Sequence, residues 1–143
     1  MAINLKRTYL ILLLPAVCGF LFVFTVEHYK GPFFTSSSFP QAATPAVFSL
    51  SVFFAAALPI WYRSFFASKM RHRKNTTEGE WLRFERTLLY IAMVTPYVAL
   101  AAHILRLPRF HYTGTALMAL YAVYYHYPSQ RRIAFDRRIF RVK

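Results

Sequence analysis

Three histidines are the side chains whose spacing could do chemistry. His28, His103 and His111 each flank an apolar run, and all three are expected at one outer depth of a helical bundle. Imidazoles from facing helices at one depth can ligate a haem iron or another transition metal. The rest of a metal site is missing from the pattern. There is no His-x-x-x-His pair, and Cys18 stands alone inside an apolar run without a cysteine partner. Histidines at such positions otherwise serve as amphipathic residues at the water line. His103 is the strongest of the three because it lies within a charge-free window. His72 falls in a basic stretch where it is solvated, and His126 sits among tyrosines as another interfacial residue.

Acid–base and nucleophilic chemistry find less to work with. The chain has five acidic residues: Glu27, the group Glu78, Glu80 and Glu85, and Asp136. Three glutamates beside a basic segment read as helix-start and salt-bridge residues. Combined with His72 they would make a general acid–base site, but no spacing demands it. Nucleophile elbow, phosphate loop and metal-ligand motifs are all absent from the sequence. The expectation is a protein that is not an enzyme.

The elements that would position these residues follow from charge and hydropathy. Of 143 residues 57% are hydrophobic and only 16% charged, against roughly 25% charged in a soluble domain. No Asp, Glu, Lys or Arg occurs in residues 8–26, 31–62, 87–105 or 110–130. Each window approaches or exceeds the roughly 18 apolar residues that mark a spanning candidate. The sequence predicts an all-α integral membrane protein with four transmembrane helices as two hairpins, spanning 9–26, 45–66, 87–105 and 111–127. A basic bridge (67–86) joins the hairpins and a basic tail (128–143) follows them.

In the first span, twelve of the residues from Tyr9 to Val26 are Leu, Ile, Val or Phe. Their insertion gains roughly 5 kcal/mol, enough to outweigh Pro15, Gly19 and Thr25. The exit Thr25-Val26-Glu27 lacks a small-x-small cleavage site, so the helix is expected to be retained. The loop from Glu27 to Thr44 carries Phe33, Phe34 and Phe39 and is expected to lie along the interface. Thr44 is the expected cap of the second helix, with Pro45 at its first position. Thr77-Glu78-Gly79-Glu80 reads as a capping box that starts the third helix in the bridge. Trp81 and Phe84 share a face there, so this section is expected on the membrane surface. Leu107-Pro108-Arg109 turns the chain into the fourth and weakest span, which needs a small-residue face at Gly114, Thr115 and Ala119 to pack. In the tail, apolar residues gather neither at helical spacing nor by alternation, and its conformation stays open.

Charge sets the expected orientation. Fifteen Lys and Arg fall in the head, in the bridge with the adjoining Arg63, and in the tail, against three in the two intervening turns. The positive-inside rule places head, bridge and tail, and hence both termini, in the cytoplasm. The +13 net charge is therefore read as topological, with no nucleic-acid partner. Lys69, Arg71, Arg73, Lys74, Arg131, Arg132, Arg137 and Arg138 are the candidate contacts to partner subunits or anionic lipid headgroups, at about 1 kcal/mol each near the surface. The expected function is a non-enzymatic structural, assembly or accessory subunit of a membrane complex, in a bacterial cytoplasmic membrane and without a cofactor. The alternatives are a haem-binding redox subunit using His28, His103 and His111, and an oligomeric pore or carrier built on helices bent at Pro15, Pro59 and Pro96.

Overall fold

The computed structural model describes residues 2–31, 40–71 and 75–142. Among them the chain is helical throughout: α1 (Ala2–Lys30), α2 (Thr44–Val52), α3 (Leu58–Met70), α4 (Glu78–Ala92), α5 (Val94–Ile104), α6 (Arg109–Tyr125) and α7 (Gln130–Ile139). Three of the resulting rods are long and apolar enough to cross a membrane. They are α1, the rod Thr44–Met70 and the rod Glu78–Ile104. At 27 residues, the second and third are each about 40 Å long and exceed the roughly 30 Å hydrocarbon core. The protein is thus an integral membrane protein by its helices. The fourth expected span corresponds to α6, whose 17 residues reach about 26 Å.

Prolines set the breaks within the long rods. Pro59 has no N–H to return to the preceding turn. The helix accommodates this by widening into a π-turn at Phe53–Ala57, where the Leu58 N–H reaches back five residues to the Phe53 carbonyl. Pro96 acts the same way one rod later: the helix stops at Ala92, turns at Met93 and restarts at Val94. Pro15 lies inside α1 without interrupting it.

Small residues govern how the rods pack. Ser51, Ala55, Ala99, Ala102, Thr115, Ala119 and Ala122 are all buried, which brings α2, α5 and α6 into close contact as expected for membrane helices. A Cβ on Gly114 would come within 2.6 Å of the Phe48 ring, and one on Gly19 within 2.7 Å of Leu100. Two hydroxyls complete the frame. Tyr97 donates to the Leu12 carbonyl at 2.6 Å and Tyr9 to the Val123 carbonyl at 2.9 Å. Val123 is in the last turn of α6, where carbonyls have no partner in the helix. The start of α1 therefore lies beside the end of α6.

The hydrophobic core is not at the middle of the apolar rods but at their basic end. It is built from Leu5 and Tyr9 of α1, Phe66 and Met70 of α3, Trp81, Phe84 and Leu88 of α4, and Phe140 beyond α7. Phe84 stacks on Phe66 at 4.1 Å and on Tyr62 at 5.4 Å, while Phe140 meets Phe66 edge-on at 5.2 Å. Trp81 and Phe84 are thus buried inside this core, which corrects their expected place on the membrane surface. Helix α4 begins at Glu78 as the sequence predicts. Thr77 is its N-cap, but its side chain makes no capping bond; the Trp81 N–H bonds the Thr77 carbonyl instead. Thr44 likewise falls inside α2 rather than at its cap, which is Ala43.

The tail resolves as a helix. Ser129 caps α7 by accepting from the Arg132 N–H at 3.2 Å. Beyond α7, Thr76 and Val142 form a short parallel bridge with the Thr76 N–H on the Arg141 carbonyl, and Arg137 pairs with Glu78 at 3.1 Å. Tail and bridge therefore form one folded platform. The expected interfacial path of residues 32–39 lies outside the described residues.

Candidate functional site

Chain chemistry concentrates where α7 crosses the ends of α3, α4 and α6. Asp136 of α7 is 1% exposed and lies between two arginines. Arg63 of α3 donates to its Oδ1, and Arg132, one helical turn back, places Nε 3.6 Å from its Oδ2. Arg132 also donates through Nη1 to the Tyr125 carbonyl, and its guanidinium lies 5.4 Å over the Tyr125 ring. It thereby satisfies an orphan carbonyl at the C-terminus of α6, where the helix dipole favours a cation. Glu85 of α4 is buried within electrostatic reach of Arg132, Asp136 and Arg63.

His126 is the residue just past α6, at its C-cap. It is 2% exposed, so it is a buried group and not the interfacial residue its tyrosine neighbours imply. Nδ1 lies 3.1 Å from the Ala122 carbonyl. A carbonyl only accepts, so Nδ1 carries the proton and Nε2 holds a lone pair. Nε2 is buried and has no hydrogen-bond partner among the described residues.

A groove of about 590 Å³ opens between α3 and α7, with Arg63, Arg132 and Asp136 at its base. Ile60, Phe135 and Ile139 form its rims and are more than half exposed. A second, smaller space of about 20 Å³ shares Ile60, Arg63, Tyr125 and Arg132 with the groove and extends to His126 and the π-turn at Ala55 and Ala56.

Comparison of the chain with protein-family models, with curated proteins and with solved structures found no match in any of the three.

The residues singled out by sequence divide into distinct roles. Arg132 points inward and holds the tail, and Arg137 pairs with Glu78. Lys69, Arg71, Arg131 and Arg138 are exposed, while Arg73, Lys74 and His72 lie outside the described residues. Of the three outer histidines, His103 places Nε2 3.1 Å from Glu27 Oε2, and Arg106 joins the same carboxylate at 3.7 Å. The His103 ring also faces Phe20 and Tyr112. His28 is exposed beside Tyr29, and His111 has a buried Nδ1 without a partner among the described residues. Among the described residues, no three His, Cys, Asp or Glu side chains group to hold a metal.

Sequence reasoning passed over Arg63, Glu85, His126 and Asp136. One signal was present: Arg132 and Asp136 are four apart, the spacing of a helical ion pair.

Proposed function

We propose that this chain is a four-span membrane protein with both termini in the cytoplasm, acting as a non-enzymatic structural, assembly or accessory subunit of a larger membrane complex. The observation that carries this reading is the platform at the basic end. Arg131 and Arg138 project from α7 without an ion-pair partner among the described residues, while buried contacts anchor the helix itself. A rigid element presenting unpaired guanidinium groups suits docking to an acidic partner surface or to anionic headgroups. Exposed apolar side chains on the rods, including Leu21, Phe22, Leu117 and Leu120, offer helix-to-helix contacts within the bilayer. The lysine and arginine asymmetry orients the platform towards the cytoplasm.

Purification in mild detergent at native abundance, with every co-purifying polypeptide quantified, tests this. A stoichiometric partner is expected. The double variant Arg131→Glu, Arg138→Glu should lose most of that partner while keeping its melting temperature, because neither side chain supports the fold. A chain that purifies alone, or a partner retained by the double variant, would count against the reading. The haem alternative requires His103 to leave Glu27, and the visible spectrum of the same sample tests it.

A further inference from the structure

The groove between α3 and α7 has a chemistry of its own. In its lining two guanidiniums share the Asp136 carboxylate, while Glu85, outside the lining, is buried within electrostatic reach of both. Arg63 uses Nη2 on Asp136, and Arg132 uses Nη1 on Tyr125. Each retains further N–H donors, since a guanidinium has five. Its rims are the opposite in character: Ile60, Phe135 and Ile139 are exposed and apolar. Guanidinium N–H donors under apolar rims, at the basic end of membrane helices, match the build of a phospholipid. The phosphate meets the guanidiniums and the acyl chains lie along the rims.

His126 narrows the choice of headgroup. Its Nε2 is an acceptor without a partner among the described residues, buried beside a space that shares Arg63, Tyr125 and Arg132 with the groove. A space of about 20 Å³ admits one hydroxyl-sized group. The group that fits there must donate a hydrogen bond, which a phosphodiester alone cannot do.

We propose that this groove binds an anionic phospholipid whose headgroup carries a hydroxyl, with Arg63 and Arg132 taking the phosphodiester and His126 Nε2 accepting from the hydroxyl. The proposal rests on the reading of this end of the bundle as the cytoplasmic headgroup level, and it names the lipid that the basic platform would recognise.

The experiment uses the full chain, delipidated in mild detergent and titrated by native mass spectrometry. The probes are phosphatidylglycerol, phosphatidylmethanol and phosphatidylcholine with the same acyl chains. Phosphatidylmethanol keeps the phosphodiester charge and lacks the hydroxyl. Phosphatidylglycerol should bind about fivefold more tightly than phosphatidylmethanol, the effect of one neutral hydrogen bond. Phosphatidylmethanol should in turn exceed phosphatidylcholine by about tenfold or more, the effect of charge-assisted bonds. Ser64 and Ala67 are exposed in the groove wall. Ser64→Trp and Ala67→Trp fill the groove and should each reduce anionic binding to the phosphatidylcholine level with helicity retained; if one fails to fold, the other decides. His126→Phe should erase only the difference between the glycerol and methanol lipids. Equal binding of all three lipids would overturn the site. So would an anionic preference that survives both tryptophan variants, although that outcome leaves the basic platform as a general docking surface intact. Equal binding of the glycerol and methanol lipids by the unaltered chain would remove the His126 assignment. A chain that leaves membranes without detergent would instead defeat the underlying membrane reading.

Discussion

Replacing Asp136 by alanine is expected to release α7 from the end of the bundle and to cost about 2–3 kcal/mol. Removing one partner of a buried ion pair typically costs about 3–5 kcal/mol, because the charge left behind has lost its compensation. The lower figure applies here because the Arg63 side chain is 31% exposed and can turn part of its charge to water. Asp136 has no such route: it is buried and fixed by two guanidiniums. The loss should be visible as faster amide exchange over residues 130–142 and a lower melting temperature in detergent. Asp136→Asn should recover part of the hydrogen bonding but little of the charge pairing, and so fall between the two. If exchange in α7 is unchanged in Asp136→Ala, the Phe140 contacts, the Thr76–Val142 bridge and the Arg137–Glu78 pair hold the tail without it.

Phe84→Ala should have the larger effect, about 3–5 kcal/mol, as for truncating a large core aromatic. Phe84 is 2% exposed and contacts Phe66, Tyr62 and Phe140. No neighbouring side chain can close the space without breaking those stacks. Phe65→Ala is the control. Its ring is 58% exposed beside Phe66 on α3 and, among the described residues, stacks on Trp61 at 5.9 Å, so its loss should be within about 0.5 kcal/mol. Equal melting temperatures for the two variants would mean that the platform contributes little to the stability of the whole chain. A large difference makes the bridge and tail a folding unit rather than connectors between spans.

That outcome bears on how the basic surface works. Lysines and arginines on a loose tail attract a membrane wherever they touch it. The same residues on a helix held at both ends present fixed spacings, which a partner or a headgroup can match. Arg131 and Arg138 lie seven residues apart on α7, two helical turns, and so share a face.

The membrane character of the chain was legible from its charge-free windows, because in a bilayer each helix satisfies its own backbone and needs only length and apolar side chains. The three long rods, the start of α4 at Glu78 and the break between α5 and α6 at Pro108 follow from such local rules. Gly114, Thr115 and Ala119 were readable as a contact face for the same reason: their smallness is a property of single residues. The platform was not legible. Its tail shows no apolar face in isolation, since Phe140 belongs to a core completed by α1, α3 and α4, and Ile139 and Phe135 turn away from it. Glu85 read as a helix-start and salt-bridge residue and His126 as an interfacial one, because solvated ends of membrane helices usually carry such types, and Asp136 was only one acidic residue of the tail. Only the tertiary structure stacks α7 over those ends, and burial then decides which charges must pair and which imidazole nitrogen is left without a partner.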